Sequence, residues 1–131
     1  MNTEEKSLLL RDLSARLSNG VICQYTPTTE DDFDNQCDFR IRCIDTEGNV
    51  IPTKLSFKSN YCLEHIRPYL RSMNRITDEE KDFVIRMAEL PCAAQVCEKK
   101  VDFFNSHHID WRNLIPKGLA LEAPDGMYNI K

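Results

Sequence analysis

In CDFRIRCID, residues 37 to 45, apolar and charged side chains alternate: Cys37, Phe39, Ile41 and Cys43 fall on one side, Asp38, Arg40 and Arg42 on the other. An extended chain turns successive side chains to opposite faces, so this period of two predicts an antiparallel strand with one face buried and one wet. TEGN at 46–49 is a glycine-containing hairpin turn, and VIPTKLSF at 50–57 is the returning partner. Pro52 lacks the donor a ladder needs, which assigns it to an edge or a bulge. Together with VICQYT at 21–26, these segments predict a three-stranded antiparallel meander.

Helical periodicity brackets the strands. In TEEKSLLLRDLSARL at 3–17, Leu8, Leu9, Leu13 and Leu17 share a stripe, Thr3 is the candidate N-cap, and Gly20 supplies a left-handed stop. YCLEHIRPYLRSM at 61–73 reads as a short helix interrupted or restarted at Pro68. RITDEEKDFVIRMAEL at 75–90 is the clearest helix. Thr77 and Glu80 form a capping box, and Phe83, Val84, Met87 and Leu90 an apolar face. Pro91 ends it, and a further helix begins near Cys92, with Ala93, Cys97, Val101, Phe104 and His108 recurring every three or four residues. The expected fold is α+β: an N-terminal helix, the meander, and a helical C-terminal half packed on one sheet face with the tail folded back.

The chain has 131 residues, of which 41% are hydrophobic and 29% charged, which suits a single domain over 1–131. Its opening, MNTEEKSLLLRDL, lacks the cleavage pattern of a signal peptide, and no apolar run approaches the roughly 18 residues a membrane span needs. A cytoplasmic setting is therefore expected, and with it reduced thiols at all six cysteines (Cys23, Cys37, Cys43, Cys62, Cys92 and Cys97). No CxxC occurs. Cys37, Cys43 and Cys97 fall on apolar faces and are expected to be poorly reactive.

The net charge of −4 is unevenly spread: residues 1–39 carry three Lys/Arg against eight Asp/Glu, 40–75 seven against three, and 76–131 seven against ten. Within the basic island Arg40 and Arg42 share the outer strand face, and Arg67, Arg71 and Arg75 would form one stripe of a helix. Such a surface suits a phosphate backbone, although the acidic balance of the chain opposes nucleic-acid binding. The acidic loop from Glu30 to Asp34 can pair with the island. It lacks the glycine and spacing of a calcium loop.

Near the C-terminus, His107, His108 and Asp110 resemble a metal or acid-base cluster. Adjacent residues diverge by about 100° on a helix, so the two histidines cannot chelate one ion as a pair at i and i+4 can. His108 falls on the stripe of Val101 and Phe104, and His107 is expected to face outward. Asp110 precedes WRNLI, where it can cap a turn that brings Trp111, Leu114 and Ile115 onto the domain. The stretch reads as a fastening more than as a site. No nucleophile elbow or phosphate-binding glycine loop is present.

PYLR at 68–71, ITDEEK at 76–81 and above all HHIDWRNLIPKGLALEAPDGMY at 107–128 resemble small uncharacterised proteins encoded in phages and prophages of gut bacteria. Those show a PYLRPM segment, a TEEEK helix start and a tail close to HHFDYRGLIEKGLALEAPEGMY. The chain departs from that pattern at Trp111, Asn113 and Pro116. The resemblance implies a mobile-element origin and a host-cell cytoplasm. It brings no activity and no site residues.

The expectation carried forward is a non-catalytic accessory protein, without cofactor or metal, that binds an unknown host or phage protein and no membrane. Its candidate contact residues are Arg40, Arg42, Arg67, Arg71, Arg75 and Trp111. A nucleic-acid binder using the Arg40–Arg75 island, and a small metal-dependent hydrolase using His107, His108 and Asp110, are the alternatives.

Overall fold

A computed structural model describes residues 2–26, 37–53, 61–91 and 93–128. The acidic loop Glu30–Asp34, the end of the returning strand beyond residue 53, and Cys92 lie outside the described residues. The order is α1 (Thr3–Arg16), β1 (Ile22–Tyr25), β2 (Cys37–Ile44), β3 (Val50–Pro52), β4 (Ile66–Leu70), α2 (Asp78–Glu89), α3 (Ala94–Ser106) and β5 (Leu121–Glu122). The fold is α+β, but the sheet is five-stranded and mixed, in the order β3-β2-β1-β4-β5. The three predicted strands pair antiparallel in succession, and the sheet extends past them by two more. Two strands come from segments read as helix and as tail.

Pro68 is the reason the helical reading of 61–73 fails. It sits inside β4, opposite Cys23. The Thr26 N–H donates to the His65 carbonyl at 2.9 Å. Hydrogen-bonded pairs then alternate along the ladder to Gln24–Arg67, and the nitrogen of Pro68 turns away from β1. On that other side β5 pairs in parallel only with Tyr69 and Leu70, so no donor is required of the proline. Pro52 ends the edge strand β3, opposite Ile41, where the β2–β3 register shifts.

The sheet has two unlike faces. Cys23, Tyr25, Ile41, Ile66 and Leu70 point into the main core, joined by Leu9 and Leu13 of α1 and by Leu114, Leu119 and Ala120 of the tail. The leucine stripe of α1 thus faces the sheet as its spacing requires, although Asn2, rather than Thr3, caps it, in a capping box with Glu5. On the opposite face Tyr69, Ala123 and Tyr128 form a smaller cluster with Ile22, Leu121 and Met127. The C-terminal half is not a helical layer on one face. Its helices bury little, Glu80 alone in α2 and Phe104 and Asn105 in α3, while irregular tail segments cover the sheet on both sides.

The cysteines divide accordingly. Cys23 is buried, Cys37 and Cys43 are half-buried, and Cys62 and Cys97 are exposed. The expectation that Cys97 is shielded is corrected: nearly every residue in the first turns of α3 is exposed. Burial pushes the Cys23 thiol well above its ordinary pKa, which removes the thiolate that reacts. In the native protein a thiol reagent should label Cys62 and Cys97 rapidly and Cys23 only on unfolding, as peptide mapping by mass spectrometry would show.

Candidate functional site

After β4 the chain turns into α2, and Arg71 stands at the bend. Its guanidinium donates to both carboxylate oxygens of Glu80, at 2.6 and 2.7 Å, and to the His107 carbonyl at 3.1 Å. Glu80 also accepts the Thr77 N–H at 2.7 Å and lies 2.8 Å from Nδ1 of His107. One carboxylate thereby joins the end of β4, the start of α2 and the end of α3. Burial alone would push its pKa up; the Arg71, Thr77 and His107 hydrogen bonds outweigh that and hold it down at about 2. His107 stacks on Phe103, at 4.1 Å between centroids, and Phe103 stacks on Phe83 at 3.9 Å. Beside these rings lies a groove of about 450 Å³ lined by Thr77, Asp78, Glu79, Glu80, Phe83, Arg86, Phe103 and His107.

His108 and Asp110 go elsewhere. The chain reverses at His108, whose φ of 59° is left-handed, and runs beside Arg71: the Arg71 N–H donates to the His108 carbonyl at 2.7 Å and the Asp110 N–H to the Arg71 carbonyl at 2.8 Å. The His108 ring stacks on Tyr128 at 3.7 Å. Burial, assisted by the charges of Arg16, Arg40 and Arg71, lowers its pKa to about 4, so the ring is neutral near pH 7. The Asp110 carboxylate accepts the Leu114 and Ile115 N–H groups at 2.8 and 2.9 Å, the capping role its position suggested. The three side chains thus meet three different sets of partners. Among the described residues no group of three His, Cys, Asp or Glu is placed to hold a metal ion.

Trp111 is half-buried rather than enclosed. Its Nε1 donates to Asn105 at 3.0 Å, and Arg112 covers the ring at 4.1 Å. The arginine island is dispersed as well. Because 66–70 is a strand, Arg67, Arg71 and Arg75 do not form a helical stripe. Arg71 is committed to Glu80, and Arg75 pairs with Glu122 at 3.2 Å and Asp125 at 2.7 Å. Arg40 lies across Gly20, donating to its carbonyl at 2.7 Å; a Cβ there would come within 2.7 Å of Nη1. Arg42 and Arg67 stay exposed on the outer sheet face. Two of the five positive charges, Arg71 and Arg75, are thus paired with carboxylates and Arg40 is tied to a backbone carbonyl, which reduces the footprint a phosphate backbone would need.

What the periodicity did not reveal is how little of the α2–α3 hairpin the body covers. Phe83, Val84 and Met87 are only half-buried, and Ile85 and Leu90 are 57% and 46% exposed. The amphipathic pattern identified the face correctly and could not say that the domain leaves it open. Compared with known proteins, the chain matches no family model, no curated protein and no solved structure.

The anchors of the tail are Leu114 and Ile109, both fully buried. Leu114→Ala should therefore cost about 2–5 kcal/mol in urea unfolding, and Trp111→Ala distinctly less.

Acid titration should reveal two windows. Glu80 has a folded pKa below its unfolded value of 4.5, so its contribution is present above pH 4.5 and lost as the pH falls towards 2. His108 has a folded pKa of about 4 against 6.5, so the unfolded chain takes the proton first and stability falls as the pH drops from 6.5 to 4. Each loss is on the order of 3 kcal/mol. His108→Asn, which tolerates a left-handed backbone, should flatten the upper window and leave the lower one.

Proposed function

We propose that this chain is a non-catalytic interaction module that docks a protein partner on the α2–α3 hairpin. The observation that supports the reading is the half-open apolar face of α2, Phe83, Val84 and Met87, with exposed Leu90 at its end; Ile85, also exposed, lies round the helix among its charged residues. A helix of an ordinary domain covers such a stripe with its neighbours, and contiguous uncovered apolar surface marks an interaction site. Helix-in-groove recognition uses surfaces of this kind, read through residues spaced three and four apart.

The polar groups that could have carried chemistry are held in structural roles. Glu80 is saturated by Arg71, Thr77 and His107, and Asp110 by backbone N–H groups. The likeness of the 107–128 tail to phage and prophage proteins supplies the proposed setting, an accessory protein acting in the cytoplasm of a bacterial host. No helix is long and apolar enough to cross a membrane among the described residues.

The test is capture of partners from host cells with the intact protein and with the Ile85→Glu/Leu90→Glu variant. Because both side chains already face water, the variant should keep its stability within about 0.5 kcal/mol while losing its partner. Retention of every partner by a folded variant would move the docking surface off the hairpin. Arg42→Ser/Arg67→Ser, on the outer sheet face, is expected to leave capture unchanged.

A further inference from the structure

We infer that the groove beside Phe83 and Phe103 takes a basic amphipathic helix of the partner protein, its Lys or Arg side chains meeting Asp78 and Glu79 and its apolar side chains meeting the rings. This rests on the hairpin being the docking element and adds the chemistry of what docks there. Exposed charge on α2 consists of four carboxylates, Asp78, Glu79, Asp82 and Glu89, against two cations, Lys81 and Arg86. Glu80 is excluded from that count because Arg71 neutralises it inside the fold.

Carboxylates in a first helical turn also favour the helix dipole, which accounts for their presence in α2. It does not account for aromatic rings left open beside them. Phe83 and Phe103 line the groove together with two exposed carboxylates, Asp78 and Glu79, and one cation, Arg86, so apolar surface and a net negative charge occupy one concavity. A cation there gains the carboxylates, and the apolar side chains beside it gain the rings. The 12 residues of α2 extend for about 18 Å, enough to lie along three turns of a partner helix.

A second copy of this chain is a poorer occupant. Two acidic α2 faces would repel across a two-fold axis. Among the described residues Arg11, Arg40, Arg42, Arg67 and Arg86 have no carboxylate partner, and three of them, Arg40, Arg42 and Arg67, lie on the outer sheet face. Pairing them with a neighbour's hairpin would be head-to-tail, a geometry that closes only if its rotation forms a ring.

Three labelled amphipathic peptides of equal length, alternating leucine faces with lysine, serine or glutamate faces, provide the probe. Fluorescence anisotropy with the full chain should show the lysine peptide binding at least about tenfold more tightly than the other two, and more weakly at high salt. Asp78→Asn/Glu79→Gln should weaken that binding by about tenfold, with the chain still folded and its melting only slightly lowered by the lost helix-dipole interactions. The charge-matched control Glu4→Gln/Glu47→Gln, away from the hairpin, should leave it unchanged. Equal loss in the control would reduce the effect to net charge and overturn the proposal.

Tighter binding of the serine or glutamate peptide, abolished by Ile85→Glu/Leu90→Glu, would keep the hairpin as the docking element and overturn the basic occupant. Concentration-dependent self-association in sedimentation, abolished by the same variant, would install a second copy instead. If no peptide binds, the basic-helix proposal fails. If the Ile85→Glu/Leu90→Glu variant then also keeps every captured partner, the hairpin reading fails with it.

Discussion

Arg16 is fully buried, and what surrounds it ties the first helix to the last third of the chain. Its Nε donates to Asp12 at 2.9 Å, and its Nη2 to the Ile109 carbonyl at 2.6 Å, 93 residues away. Asp12, also fully buried, takes a second cation from Arg112 at 2.9 Å. Withdrawing these charges from water is costly, and their attraction offsets the cost only in one geometry. That requirement fixes α1 against the turn at 109–112. From there Arg71 N–H and carbonyl hold residues 108–110 beside β4, and the Arg71 guanidinium holds α2 and α3. Removing Asp12 alone would leave the buried Arg16 guanidinium without a carboxylate, a loss greater than the net contribution of the intact pair.

The opposite sheet face closes by a different device. The Ile22 N–H, instead of meeting the Tyr69 carbonyl directly, donates to the Tyr128 hydroxyl at 2.8 Å, and that hydroxyl donates to the Tyr69 carbonyl at 2.8 Å. The tail is thereby spliced into the β1–β4 ladder. Tyr128 also carries the stack on His108, so the two ends of the 107–128 stretch hold one another. This explains why residues that look like a catalytic cluster behave as a fastening: the neutral ring of His108 is a packing surface, and the Asp110 carboxylate replaces backbone acceptors at a turn that does not continue as a helix.

Local signals in the sequence were legible where local physics decides. The alternation at 37–44, the Thr77–Glu80 capping box and the leucine stripe of α1 each reflect a preference within a few residues. They failed where a distant partner decides. Arg16 lies three residues after Leu13 and seven after Leu9, on the buried face of α1, but nothing near it in the sequence identifies the carbonyl it meets there, that of Ile109. The segment around Pro68 has apolar spacing compatible with either helix or strand, and β1 chooses between them. Arg71 and Arg75 appeared to belong to a basic surface because their carboxylate partners lie 9 to 50 residues further along.

The same allocation of charge shapes the candidate site. Arg71 and Arg75 are paired with Glu80 and the tail carboxylates and Arg40 is tied to the Gly20 carbonyl, whereas the four exposed carboxylates of α2 share that helix with two cations, Lys81 and Arg86. The hairpin is attached chiefly at its base, through Glu80 and the Phe83–Phe103–His107 stack, and its far end carries exposed Leu90 and Cys97. An element anchored at one end by a polar junction can adjust to a partner without disturbing a core built from α1, the sheet and the tail. The apolar stripe that the core leaves uncovered is, on this view, the part of the helical pattern that a partner completes.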